Sequence, residues 1–339
     1  MTDPQTADQR DRPATIYDVA RVAGVSAQTV SRLIKGFEGI RPSTRERVEA
    51  AIEELAYRPN QAARLLRTRK SNRIGALVHE MFERGPGQLL RGAALEARRA
   101  GYSLNIVAVN GFDQAAVEEA FAAFEDEQVA GILALALTDG MHDVVERRPL
   151  DVPIVVDPAE QQEDAPTVSE SGPAAVAEHL LGLGHRRFGF IGGPDNWLAA
   201  RQRRDRFIAD VVAGGGEIVA SWTGDWSPES GDRIGAEFDP SSGITAVFVA
   251  NDGMAVGFMH RLIARGIAVP ADVSVAGFDD APESAYFSPA LTTVKPDFEG
   301  EGRMAFERLL ARIENRPRVA VRHPVGELVV RDSTAPPRS

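Results

Sequence analysis

Gln28 and Arg32 lie four residues apart, and each carries a hydrogen-bonding head suited to the edge of a base. The pattern around them puts both on the outer face of a short helix. Val30, Leu33 and Ile34 take its inward face, which leaves Ala27, Gln28, Ser31 and Arg32 pointing out. Ser26 is placed to cap that helix, and Gly24 supplies a sharp turn before it. A first helix precedes the turn. Thr15 and Asp18 form a capping-box pattern, and Ile16, Val19, Ala20 and Ala23 recur at helical spacing. A helix, a tight glycine turn and a second helix with exposed Gln and Arg is the layout of a helix-turn-helix that enters the major groove.

Other chemistries find little support. There are no cysteines, so no thiolate site and no disulfide framework. The six histidines, at 79, 142, 179, 185, 260 and 323, show no i, i+4 metal pairing. His185 reads as a structural histidine at a helix end. The chain has no P-loop, no strand-linked G-x-G-x-x-G and no G-x-S-x-G elbow. Asp279 and Asp280 are adjacent at a strand end and so point apart, which weakens any reading as an acid–base pair. Asp280 reads as a loop residue capping a neighbouring helix. The expectation is no catalytic residue, no metal and no cofactor.

Charge separates along the chain. The net charge is −11, yet the first 73 residues hold 14 Lys and Arg against 9 Asp and Glu, and the rest hold 24 against 40. A basic head on an acidic body fits a DNA-reading module carried by a larger domain. At 339 residues and 43% hydrophobic, the chain is long enough for two or three units with a sizeable core. The start of the chain lacks an apolar signal region, and no run is long enough to span a membrane, so a cytoplasmic protein is expected.

The elements that must position these residues follow from periodicity. A third helix is expected over 43–56, started by Pro42 and Ser43, with Val48, Ile52 and Leu55 in one stripe. Pro59 stops it, and Asn60 can cap a further helix of about two turns, too short to stand alone in water. From Arg73 onward, apolar runs at 74–78, 104–109, 131–137, 153–157, 188–191, 218–222, 246–250 and 273–278 alternate with helical stretches such as 89–100, 115–126, 174–183 and 254–265. That alternation predicts two α/β halves with parallel, doubly wound sheets and a cleft at the carboxyl ends of their strands.

The chain resembles the lactose-repressor (LacI/GalR) family of bacterial regulators over about residues 14–332. The resemblance is carried by Tyr17-Asp18-Val19-Ala20, Ala23-Gly24-Val25-Ser26, Thr29-Val30-Ser31-Arg32, Tyr57-Arg58-Pro59-Asn60 and Ala63-Arg64-Leu65-Leu66. In the body it is carried by Ile191-Gly192-Gly193-Pro194, Ala250-Asn251-Asp252, the run from Pro270 to Asp280 and Leu291-Thr292-Thr293-Val294. It implies an N-terminal all-α helix-turn-helix domain and a periplasmic-binding-protein-like α/β body of two doubly wound subdomains. The expected division is a disordered tail at 1–11, the helix-turn-helix domain at 12–58, a hinge helix and linker at 59–72, and an effector-binding and dimerisation domain at 73–339. Within the last, the N-subdomain takes about 73–164 and 296–325, and the C-subdomain about 165–295 and 326–334.

The resemblance also assigns roles. Ala27 and Gln28 occupy the specificity positions, with Gln28 suited to adenine, Arg32 to guanine and Ala27 at most to a thymine methyl. Thr15, Tyr17, Ser26, Thr29 and Ser31 become phosphate contacts. Asn60, Ala63 and Leu66 belong to a hinge helix that pairs with its copy across the minor groove, Leu66 wedging between base steps. An effector that separates the two hinge starts would melt that pair and release DNA. In the body, Asp157, Arg203, Asn251 and Asp279 match a ligand-binding pattern of carboxylate, guanidinium and amide. Trp226 matches a stacking position, Phe298 closes the other side, and Trp197 either adds a second stacking surface or covers the rim. The loop 79–87 and the stretch 168–172 depart from the family pattern, and Leu135 and Pro296 replace polar residues, so the N-terminal wall is expected to be less polar than usual.

The resulting expectation is a regulator, most simply a repressor of carbohydrate-utilisation genes. It would bind a palindromic operator as a homodimer and be released by a glycoside-like sugar, without a membrane partner. The alternatives weighed are a sugar-binding transport component and an α/β enzyme.

Overall fold

The computed structural model describes residues 14–34, 37, 39–55, 57, 71–136, 138–157, 167–317 and 325–338. By its contacts the chain divides into two units, the first ending at Ser71 and the second beginning at Asn72. The expected tail at 1–11 and the hinge residues Asn60, Ala63 and Leu66 lie outside the described residues.

The first unit holds α1 (Ile16–Ala23), α2 (Ala27–Ile34) and α3 (Pro42–Glu54). Thr15 caps α1 through a full capping box: its hydroxyl accepts from the Asp18 N–H, and the Asp18 carboxylate accepts from the Thr15 N–H at 2.9 Å. Gly24 ends α1 in the left-handed region at φ 63°, where a side chain would be strained. Ser26 caps α2, its hydroxyl accepting from the Thr29 N–H at 3.1 Å. Val19, Ala20, Ala23, Val30, Leu33, Val48, Ala51 and Tyr57 form the shared core. Two side chains depart from expectation. Ile34, the last residue of α2, is 38% exposed rather than inward. Ala27 is half-buried against the same core rather than fully outward.

The second unit contains two sheets. The first is built from β1 (Arg73–His79), β2 (Ser103–Val109), β3 (Gly131–Leu135) and β4 (Ile154–Asp157), all parallel, in the order β2-β1-β3-β4. The helices α4 (Arg84–Arg99), α5 (Gln114–Asp126) and α6 (Asp139–Arg147) alternate with them. α7 (Val168–Gly182) leads into the second sheet, which comprises β5 (Arg187–Gly192), β6 (Glu217–Thr223), β7 (Ala246–Val249), β8 (Ser274–Phe278), β9 (Thr292–Pro296) and β10 (Gly326–Val329). Its order is β10-β9-β8-β7-β5-β6, parallel except for β10, which runs antiparallel on β9. The connecting helices are α8 (Leu198–Ala213), α9 (Pro228–Glu237) and α10 (Asp252–Ala264). α11 (Phe298–Ile313) follows β9 and packs on α4, β3 and β4, so the chain leaves the second sheet at Asp297 and returns to the first layer. The strands β9 and β10 were not in the periodicity reading. β9 is short, rich in threonine and interrupted by an exposed Lys295, and β10 alternates weakly.

Core side chains explain why the sheets sit where they do. β1, β3, β7 and β8 are buried along nearly their whole length, as parallel strands covered on both faces must be. Phe188, Phe190, Phe207 and Phe248 pack ring against ring beneath β5 and β7. His185 is buried and bonded to Thr245 Oγ1 at 2.8 Å and the Ala335 carbonyl at 2.9 Å, a structural role as expected.

Removing the α1 cap tests the first unit. Thr15→Ala should cost about 1 kcal/mol of local helix stability, read as roughly fivefold weaker amide-exchange protection over 16–23 in the full chain. Unchanged protection would mean that the box contributes nothing.

Candidate effector cleft and nucleic-acid interface

The body's cleft is lined from strand exits. Glu83, Arg84, Gly85, Pro86 and Leu89 follow β1, Ala136 follows β3, and Trp197, Ala199 and Arg203 follow β5. Trp226 follows β6, Asn251 follows β7, Asp279 follows β8, and Phe298 and Glu301 follow β9, with Ser169 from the start of α7. A polar ligand can be held there because backbone and side-chain groups converge where strands end. The cleft encloses about 590 Å³ including its open mouth.

Arg203 is its electrostatic centre. The side chain is only 8% exposed. One guanidinium nitrogen donates to the Ala250 carbonyl at 2.6 Å and stands 3.9 Å from the Asp279 carboxylate. The cation lies 3.8 Å over the Phe278 ring and 5.6 Å from the Trp226 ring, while its Nε has no hydrogen-bond partner. Burial pushes Asp279 up to about 7 despite Arg203 beside it. Asp279 also holds φ 117°, a backbone strain that aims its side chain into the cleft.

The aromatic wall is a corner. Trp226 sits at φ 73° with its ring over Gly193, whose missing side chain makes room: a Cβ there would fall 2.1 Å from the indole. Trp197, just before α8, meets Trp226 edge-on at 5.3 Å and His79 at 4.9 Å. Trp197 is therefore a packed cleft wall rather than a loose rim cover. The Trp226 indole N–H is buried without a partner. Phe298 is 3% exposed and closes the floor against Gly85.

Of the expected residues, Arg203, Trp226, Asn251, Asp279, Phe298 and Trp197 come together around one cavity. Asn251 is half committed: its Oδ1 caps α10 at the Met254 N–H, and its Nδ2 donates to the Trp226 carbonyl, both at 2.9 Å. Asp157 is not brought to the cavity: it is fully buried at the end of β4 and is absent from the lining, which Glu301 enters from α11. Neither Asp157 carboxylate oxygen has a hydrogen-bond partner, and burial pushes the group up to about 7 against the pull of Arg308. Asp280 differs from expectation. Its carboxylate accepts from Arg331 at 2.6 Å instead of capping a helix.

Leu135 and Pro296 are buried and do not line the cleft, while Glu83, Arg84 and Glu301 enter it, with Ser169 from the start of α7. Arg84 reaches across the cleft, Nε donating to the Asp279 carbonyl at 2.8 Å and NH2 to the Asp280 carbonyl at 2.9 Å. Asp252, in a quoted motif but given no role, ties three segments. It accepts from Thr293 Oγ1 at 2.5 Å, Ser284 Oγ at 2.7 Å and the Ala281 N–H at 2.8 Å. Glu301 lies three residues after Phe298 on α11, so helical spacing was the available signal. Nothing in the sequence distinguished Arg84 from other loop arginines.

In the first unit, Gln28 and Arg32 are exposed, and Tyr17 is 74% exposed. The Arg32 guanidinium lies 5.2 Å from the Phe37 ring, which was not anticipated. Ser26, Thr29 and Arg32 border a shallow concavity with Phe37, Arg41 and Thr44. Ser26 and Thr29 hydroxyls bond each other at 2.9 Å, and Ser31 is half-buried beside them. Thr15 differs from the expected phosphate contact: its hydroxyl and its N–H both donate to Asp18. Among the described residues, no group of His, Asp and Glu is arranged to hold a metal, and no helix is long and apolar enough to cross a membrane.

Comparisons with known proteins agree with this geometry. A model described as bacterial regulatory proteins, lacI family, matches residues 15–60, and one for a periplasmic binding protein-like domain matches 177–334. The lactose operon repressor of Escherichia coli (strain K12) is 34% identical over 88% of this chain and 84% of its own length. The HTH-type transcriptional repressor PurR of Vibrio vulnificus (strain CMCP6) is 32% identical over 94% and 98%. A crystal structure of the Lac repressor dimer bound to operator and the anti-inducer ONPF superposes with a TM-score of 0.83, at 32% identity over 96% of this chain and 100% of that one. A CelR–cellobiose complex gives 0.67, at 28% identity over 94% and 99%. A helix-turn-helix unit, a two-sheet α/β body with a polar, aromatic cleft, and repressor relatives over nearly the whole chain define a DNA-binding transcriptional regulator. The chain belongs to the lacI family of bacterial regulatory proteins.

The buried, unpartnered Asp157 gives a stability test. Its folded pKa lies above the unfolded value, so it binds more protons folded than unfolded between about pH 4 and 7, and stability falls as pH rises through that window. Asp157→Asn should stabilise the body by about 1–3 kcal/mol near pH 8 and by almost nothing near pH 4. A pH-independent difference in thermal midpoint would contradict the assignment.

Proposed function

We propose that this chain represses carbohydrate-utilisation genes by binding a palindromic operator as a homodimer, and that a glycoside-like sugar in the cleft releases it. The observation that carries the reading is the convergence of Arg203, Asp279 and Asn251 with the Trp226 ring in one cavity. Sugars bind such sites because vicinal hydroxyls both donate and accept while a ring face stacks on an aromatic. Of the solved structures above, CelR is in complex with the sugar cellobiose, and the Lac repressor dimer is bound to operator and the anti-inducer ONPF. Action on the bacterial chromosome would be carried out in the cytoplasm, and relatives that are DNA-binding repressors support that location.

Gln28 and Arg32 read base edges, with Ala27 against a thymine methyl; their exposure on α2 supports this. Tyr17, Ser26, Thr29 and Ser31 contact phosphate, whereas Thr15 acts mainly through its cap. Asn60, Ala63 and Leu66 are assigned to the minor groove by resemblance. Two protomers are required because one recognition helix reads too few base pairs.

A gel shift against DNA upstream of the protein's own gene, with and without glycosides, tests the whole reading. Retarded DNA that is freed by a glycoside is expected; no shift even at low salt would refute it. Gln28→Ala should weaken operator binding by roughly 1–3 kcal/mol and relax preference at one base pair. Equal losses on every sequence would assign Gln28 to the backbone instead. Asp279→Asn should weaken glycoside binding about 10- to 100-fold by calorimetry, by loss of a charged hydrogen bond; wild-type affinity would remove Asp279 from the site.

A further inference from the structure

Glu301 supplies a carboxyl group for which the carbohydrate reading gives no role. It lines the cleft on α11, one turn beyond Phe298, and is 4% exposed. The charged groups facing it are Asp157 from β4, Arg203 from α8, and Arg308 and Asp297 from its own helix and its cap. Behind it, both Asp157 oxygens lack a partner. In front of it, the buried Arg203 lines the cavity with an unpartnered Nε. Glu83 and Asp279 add two more carboxyl groups to the cleft. Among the lining residues, the three carboxyl groups of Glu83, Asp279 and Glu301 face two guanidinium groups, Arg84 and Arg203, with Arg308 the further cation near Glu301. Carboxyl groups thus outnumber cations along the cleft.

A sugar hydroxyl can hydrogen-bond the buried carboxyl but supplies no charge to stabilise its ionised form. An ammonium group brings three donors and a full positive charge to the same place. We propose that Glu301, backed by Asp157, is a specificity-determining residue that selects an effector bearing a protonated amine: an amino sugar or its glycoside. This rests on the carbohydrate reading above and narrows it.

A pH signature follows. Burial holds the Glu301 carboxyl well above the usual carboxylate range, and Asp157 raises it further, while Arg203 and Arg308 pull it down. An arriving ammonium favours the ionised form, so binding releases a proton. Affinity for an amine-bearing ligand therefore rises with pH below the amine's own pKa, by up to about tenfold per unit.

The test is calorimetry on the full chain with methyl hexosides carrying an amine at one ring position, each paired with its hydroxyl parent. At about pH 7.5 at least one amine is expected to bind about tenfold or more tighter than its parent, with proton release. That preference should shrink toward about pH 5.5 and fall within roughly threefold in Glu301→Gln, checked for cooperative unfolding. Hydroxyl parents binding as well as the amines, or a preference flat with pH in the wild type, overturns this proposal and leaves the carbohydrate reading intact. No hexoside of either kind binding overturns both. The wild-type pH profile decides the matter even where the variant does not fold.

Discussion

A guanidinium group buried without a close carboxylate partner sets the terms for the cleft. Moving a cation out of water costs several kcal/mol, and the protein must return most of that locally. Arg203 obtains it from one carbonyl, the face of Phe278, and a carboxylate 3.9 Å away that is itself pushed up to about 7. No single contact is a full bridge. The compensation is spread over the exits of β7 and β8, so the positions of those strand ends and the charge on Arg203 are one problem. The left-handed backbone at Asp279 and Trp226 belongs to the same arrangement, since both residues are turned toward the cation.

Much of this was legible in the sequence, for identifiable reasons. The helix-turn-helix could be read because its signals are local: a Thr–Asp box, a glycine needing positive φ, and apolar spacing within three turns. The eight strands read from periodicity each carry a dense apolar run, even where, as in β2 and β6, the strand is only half-buried. β9 and β10 escaped because their stability comes from neighbours rather than from their own composition. Thr292 and Thr293 are buried through hydrogen bonds to Ser333 and Asp252, a pairing no local pattern announces.

The cleft divides the same way. Residues fixed by a motif, such as Arg203 and Asp279, were found. Residues fixed by chain path were not. Arg84 enters because α4 begins at the mouth, and Glu301 enters because α11 crosses back after β9. Conversely, Asp157 matched a pattern yet lies behind Glu301, since a motif gives residue type and approximate position but not which of two carboxyls faces the cavity. Leu135 and Pro296 likewise match cleft positions by sequence but stay out of the cavity, whose polar lining on that side comes from Glu83, Arg84 and Glu301.

The placement of cleft residues at strand exits has an evolutionary side. The lining side chains are spread over eight separate connections, and the sheets beneath them are closed by residues that do not line the cavity. A single exchange in one connection can therefore retune chemical preference while leaving strand registry undisturbed. Such a scaffold can diversify its recognised molecules by small, independent steps, each tolerable on its own.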